Sequence, residues 1–289
     1  MTLLMRCLSR WPLAWLHALG AVLGWLTWAA SPTYRRRLAA NAALAGIGAR
    51  DRRRSVAEAG RMVAEVPWLW FMPVGDRLGE RVRWVDDRLI RDAHAAGRGL
   101  VLLTPHLGSF EVAARSAAER FPQPITVLYR PARQAWLREM EATARARPNM
   151  ATAPASLAGV RQMLRALRRG EIVGLLPDQV PPEGQGVWAP FFGQPAYTMT
   201  LAARLAQQTG ADIGLVWCER LPGGRGFEVH VVPLDEPLPE DTGDEASQLA
   251  AATVINRSME RAIRALPGQY LWGYHRYKSP RRLRAGEGA

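Results

Sequence analysis

Gly99-Leu100-Val101-Leu102-Leu103-Thr104-Pro105-His106-Leu107-Gly108-Ser109-Phe110-Glu111 divides into two unlike halves. The first is a short apolar run between punctuating residues, the signature of a strand buried on both faces. The second opens a helix over 109–121, with Ser109 available as its N-cap. Positions five apart in a regular helix point about 140° away from each other. His106 and Glu111 therefore meet only if His106 lies in the turn before the helix and Glu111 reaches back along its second turn. Gly108 gives that turn its freedom. In this geometry Glu111 takes the proton on one ring nitrogen, and the other is left to act as a general base. The free amides of the helix N-terminus would face a developing oxyanion.

The spacing is not specific by itself. Five histidines make a chance match easy, and His230 followed by Asp235 is one. His230 sits in the alternating run Phe227–Val232 with no helix after it, so it reads as a strand residue. His106 lies beyond the carboxyl end of a buried strand, where open α/β sheets place their sites.

Outward from this stretch, strands and helices alternate. Strands are expected over 125–129 and 172–176, and helices over 52–70, 133–147, 157–169, 199–208 and 245–266. Residues 177–195, rich in Pro and Gly, read as a loop. The runs 213–218 and 227–232 read as a hairpin across Pro222-Gly223-Gly224-Arg225-Gly226. The pattern implies an α/β fold, with a mixed, largely parallel central sheet flanked by helices. No internal repeat or long linker interrupts it.

The chain of 289 residues has 48% hydrophobic residues and a formal charge of +12, enough apolar content for a sizeable core and a basic excess that calls for anionic partners. Every basic residue but Lys278 is arginine, whose fork matches phosphate and carboxylate. Cys7 and Cys218 cannot build a disulfide scaffold, which suits a reducing compartment. From Trp11 to Tyr34 there is no charged residue, with Trp11 and Trp15 near one end, Trp25 and Trp28 near the other, and Arg35–Arg37 following. That stretch is long enough to cross a bilayer, and the arginines predict a cytoplasmic body. A cleaved signal peptide and a buried or interfacial helix are the alternatives, since Pro12, His17, Gly20 and Gly24 weaken a spanning helix. Residues 1–34 are read as a membrane-anchor helix, and 35–289 as the catalytic domain.

The H-x-x-x-x-E box inside LLTPHLGSFE resembles that of the late acyltransferases of lipid A biosynthesis, the lauroyl and myristoyl transferases. Further blocks are similar and stand in the family's order: Tyr129-Arg130-Pro131, Gly174-Leu175-Leu176-Pro177-Asp178-Gln179, Phe191-Phe192-Gly193-Gln194-Pro195-Ala196 with Thr198, and Gln269–Lys278. The resemblance runs from the hydrophobic N-terminus to Lys278. Pro105 departs from a common Asn, and Ser109-Phe110 from a common Asn-Trp, beside the His-Glu pair.

The resemblance implies a glycerolipid-acyltransferase-like fold and an enzyme on the cytoplasmic face of the bacterial inner membrane. It would move a fatty acyl chain from acyl carrier protein to a hydroxyl of a lipid A precursor. His106 would deprotonate the hydroxyl, Glu111 would orient the ring, and no acyl-enzyme, metal or cofactor is needed. Arg130 is the candidate for the acceptor phosphate or the oxyanion, unless it pairs with Asp178 or Glu111. Asp178 and Gln179, beyond the third strand, and Gly108 and Ser109, in the turn, are candidate substrate contacts; a loop cap is the alternative for Asp178. Transfer to a lysophospholipid, another glycolipid or an ornithine-type lipid is the near alternative. A nucleic-acid-binding protein, motivated by the arginines, lacks a binding motif, and a catalytically inactive membrane scaffold is the other class.

Overall fold

A computed structural model of the chain describes residues 2–73, 75–129, 132 and 134–282. Four helices lead: α1 (Thr2–Leu8), α2 (Leu13–Ala30), α3 (Pro32–Leu44) and α4 (Ala49–Trp70). The uncharged N-terminal stretch is broken at Ser31, whose side chain accepts from Tyr34 N–H at 3.2 Å and caps α3 with Pro32 at its first turn. There follow β1 (Val82–Trp84), α5 (Arg88–Ala95), β2 (Leu100–Leu103), α6 (Phe110–Arg120), β3 (Ile125–Tyr129), α7 (Ala135–Arg145), β4 (Met150–Pro154), α8 (Leu157–Arg168) and β5 (Ile172–Leu175). The chain ends with the hairpin β6 (Gly186–Phe191) and β7 (Gln194–Met199), then α9 (Leu201–Thr209), β8 (Asp212–Arg220), β9 (Phe227–Pro233) and α10 (Glu245–Ala265).

A seven-stranded sheet in the order β1-β9-β8-β2-β5-β3-β4 forms the middle layer. β8, β2, β5, β3 and β4 run parallel, while β9 pairs antiparallel with β8 and parallel with β1. Both faces of the sheet are covered, which is why its strands read as continuous apolar runs. The period of two sorts them: Val101, Leu103, Val173 and Leu175 point into the core shared with α8, α9 and α10. Leu100, Leu102, Ile172 and Val216 point into the core shared with α4, α5 and α6.

The loop expected over 177–195 contains a strand. β6 pairs antiparallel with β7 over Gly186↔Met199 to Phe191↔Gln194, joined by Phe192 and Gly193 at φ +47° and +74°. Two positive φ values make the tight turn that matches strand twist. His230 lies in β9 and stacks flat on Trp217 at 4.9 Å, in keeping with its reading as a strand residue.

Helix α2 is long and apolar enough to cross a membrane, yet it lies along α4 for its length. Leu13, Leu16, His17, Gly20 and Gly24 form its buried stripe. The approach is glycine-limited: a Cβ on Gly60 would stand 1.9 Å from Gly20 O, and one on Gly24 2.3 Å from Val56 O. The other face of α2 presents Trp15, Val22, Trp25 and Leu26 outward.

Candidate active site

The register of the two central strands builds the site. Leu103 of β2 pairs with Leu175 of β5, and each chain runs on for three residues, to His106 and Asp178. Residues 72 positions apart thus meet beyond the carboxyl ends of adjacent strands, the crevice open α/β sheets use for ligands. Asp178 Oδ2 accepts the His106 backbone N–H at 2.9 Å, and Oδ1 lies 2.7 Å from Nδ1 of the ring. The carboxylate is 3% exposed and the imidazole 17%. Burial pushes the Asp178 carboxyl up, but the His106 charge, the two His106 hydrogen bonds and Arg276 outweigh it and hold it below the usual range. Tyr270, also facing this carboxylate, is pushed well up by burial and stays a phenol. When the ring is uncharged and its Nδ1–H is given to Asp178, Nε2 keeps its lone pair, and the Gln179 amide donates to it across 3.1 Å.

The partner of His106 is therefore Asp178, not the Glu111 expected from the H-x-x-x-x-E spacing. Glu111 lies in the first turn of α6 and pairs with Arg145 Nη2 at 2.6 Å; the guanidinium sits 5.6 Å over the Tyr129 ring. His106, Glu111, Arg145 and Gln179 nonetheless line one cavity of about 550 Å³. Its deeper wall is apolar, from Leu102, Ala113, Ala117, Ile125 and Met150, with Gly174 contributing no side chain. A polar mouth on an apolar cavity of this size suits a ligand with one reactive end and a greasy body.

The turn between β2 and α6 is held from behind. Gly108 adopts φ +63°, and a Cβ there would stand 1.9 Å from Cys218 O. Its N–H donates to Gln269 O at 3.1 Å, and the Ser109 N–H to Cys218 O at 2.8 Å. Ser109 occupies the N-cap position, but its side chain makes no capping bond. Gly108 and Ser109, expected to touch substrate, are spent on this seam, and neither lines the cavity. The amides of Phe110 and Glu111, at the open end of α6, find no acceptor among the described residues and are available to an oxyanion. Behind the seam Arg220, with 1% of its side chain exposed, is held by Glu58 at 2.9 Å and by both oxygens of Glu65; Glu65 also meets His17 Nε2 at 2.7 Å. The cluster ties α2 and α4 to the strand that backs the turn carrying His106 and Gly108. Arg130 lies outside the described residues.

Two contributors escaped the sequence reading. Arg145 sits on a helix dense in charge, with nothing local to single it out. Arg276 lay inside the Gln269–Lys278 block; it is buried, donates to Tyr197 O and Thr198 Oγ1 at 2.7 Å each, and biases Asp178 toward its ionised form. Phe191 and Phe192 are core residues. Cys218 is buried with its thiol pushed far up by burial, so it cannot supply a thiolate.

Known proteins resemble the chain over most of its length. The lipid A biosynthesis lauroyltransferase of Escherichia coli (strain K12) is 27% identical over 221 residues, 76% of this chain and 69% of that protein. The lipid A biosynthesis palmitoleoyltransferase of the same organism is 29% identical over 241 residues, 80% of this chain and 74% of that one. The model of the bacterial lipid A biosynthesis acyltransferases matches residues 2–279, a span holding the strand register, the His106–Asp178 pair and the cavity. The chain thus belongs to the bacterial lipid A biosynthesis acyltransferase family.

Proposed function

We propose that the protein transfers a fatty acyl group from the thioester of acyl carrier protein to a hydroxyl of a lipid A precursor, at the cytoplasmic face of the bacterial inner membrane. The observation that carries this reading is a buried carboxylate gripping His106 through both its backbone and its ring at the mouth of an apolar cavity. The hydroxyl displaces the Gln179 amide from Nε2 and gives its proton to that nitrogen. The alkoxide attacks the thioester carbonyl, and Asp178 stabilises the imidazolium so formed. The oxyanion is met by the Phe110 and Glu111 amides at the start of α6. Collapse breaks the C–S bond, and the imidazolium returns its proton to the departing thiolate. No protein nucleophile is required. Glu111 acts through Arg145, fixing a cation at the cavity edge for an anionic part of either substrate; Arg130 remains a candidate for the same work.

At the N-terminus, the outward face of α2 seats the protein in the membrane interface. A helix tied to α4, which bears Arg52, Arg53 and Arg54, does not sit alone in hydrocarbon. The basic surface favours an anionic leaflet and an acidic carrier. Mass spectrometry of lipids from cells with and without the gene tests the reading. One added acyl group on lipid A supports it; identical lipid A, or a mass change on another lipid class, overturns it.

A further inference from the structure

A second cavity, of about 1330 Å³, lies between the N-terminus, the end of α4 and α7, and shares no residue with the catalytic one. Helix α7 walls both: Glu141 and Arg145 face the catalytic cavity, while Met140 and Ala144 face the second. Among the described residues, the charged ones lining the second cavity are Arg6, Arg10, Arg81, Arg147 and one acid, Asp76. Among the described residues none of these four guanidiniums has a carboxylate within ion-pair distance. Other arginines pair where an acid lies in reach, as Arg83 does with Glu228, Arg98 with Asp212 and Arg120 with Asp87.

Two buried donors point the same way. Arg147 donates to Met72 O at 2.6 Å and Ala144 O at 3.2 Å, but among the described residues its Nη1 is buried without an acceptor, as is Trp70 Nε1. Unpaired buried donors are rare and call for a missing acceptor. Burial and the neighbouring Arg115 also pull the Arg147 pKa down, with Glu119 a partial counterweight, the condition an added anion relieves. The remaining wall is aromatic: Trp68, Trp70 and Phe71 line it, and Arg81 lies 5.6 Å over the Trp68 ring. The volume exceeds the roughly 300–1,000 Å³ of ordinary small-ligand pockets, room for more than a free ion.

We propose that this cavity binds an anionic, phosphate-bearing amphiphile, its phosphate among Arg10, Arg81 and Arg147 and its apolar part on Trp68, Trp70 and Phe71. The site stands apart from the acyl-transfer reading, since it needs neither His106 nor the catalytic cavity. Its position beside Trp11 and Pro12, where the chain enters α2, opens it to lipid at the membrane interface. A membrane phospholipid and a phosphorylated glycolipid share the chemistry required.

The test is calorimetric titration of the full-length protein in neutral detergent with dihexanoyl phosphatidic acid, and in a parallel arm with a short-chain acylated glucosamine 1-phosphate. Saturable one-to-one binding is expected, and the tighter arm names the source. Arg10→Gln with Arg81→Gln, both at exposed side chains, weakens it by about tenfold or more, as loss of charge-assisted hydrogen bonds requires. Arg147→Gln does the same where it folds. The charge-matched pair Arg161→Gln with Arg165→Gln, at exposed positions on α8, changes it less than about twofold. Absent saturation, equal weakening by the charge-matched pair, equal affinity for dihexanoyl phosphatidylcholine, or equal affinity for inorganic phosphate each overturns the proposal.

Discussion

At the residue scale, the pairing of His106 with Asp178 carries a pH signature. The folded-state pKa of Asp178 is depressed, so its contribution to stability is complete above the ordinary aspartate value of about 4 and is lost as pH falls through the lower folded value. The stability difference between wild type and Asp178→Asn, measured by urea unfolding, should therefore shrink on acidification below about pH 4; a difference that grows toward acid contradicts the pairing. Arg220 makes a second prediction. Arg220→Ala removes the guanidinium that Glu58 and Glu65 share, leaving Glu58 to Arg61 and Glu65 to His17, and should cost about 3–5 kcal/mol in denaturant unfolding. A loss below about 1 kcal/mol would mean that water reaches the cluster. Of these residues the sequence made His106 legible, because it ends an apolar run. It also offered the nearer carboxylate, Glu111, whereas Asp178, the one bonded to the ring, becomes a neighbour only through the β2–β5 register. A signal existed, since both residues stand three positions past the end of a buried strand. It needed the strands to be paired first.

At the element scale, buried strands announced themselves and edge strands did not. β2, β3 and β5 are apolar between punctuators, whereas β1 has three residues, one of them Arg83, and β4 reads Met-Ala-Thr-Ala-Pro with little pattern. The β6–β7 hairpin hid behind its prolines, Pro190 and Pro195, and a Phe-Gly turn where Asn-Gly is usual. Phe192 is held in its strained conformation by Glu260, which accepts its N–H at 2.6 Å, and by Arg264 4.9 Å over its ring. The α2–α4 seam was equally hidden, since Gly20, Gly24 and Gly60 look like weak helix residues until the helices are packed. Gly60→Ala tests the seam. Alanine inside a solvated helix gains up to about 1 kcal/mol over glycine, but here its methyl meets Gly20 O and overpacking should cost about 1–3 kcal/mol. Thermal unfolding reads the sign; a raised Tm contradicts the close approach.

At the scale of the whole molecule, the fold sets the His106 imidazole on a cavity whose depth is made by side chains from α6, β2 and β3 and by the bare backbone of Gly174 in β5. Nothing in the sequence gives that depth, because it depends on three layers packing together. Gly174 of β5 is its most adjustable point: an added Cβ would stand 3.2 Å from Val127 Cγ1. Gly174→Ala should shift selectivity toward shorter acyl chains, by about tenfold between successive donors, as read by competition between acyl-carrier thioesters. Unchanged chain preference would place the acyl group elsewhere.

The central claim is that His106, held by Asp178, takes the proton from the attacking hydroxyl. Acyl transfer by purified His106→Ala and Asp178→Asn, with acyl carrier thioester and lipid A precursor and the product weighed by mass spectrometry, tests it most directly. The account predicts losses of about 10²–10⁴-fold in both variants, with each still folded. Either variant turning over at the wild-type rate would contradict it.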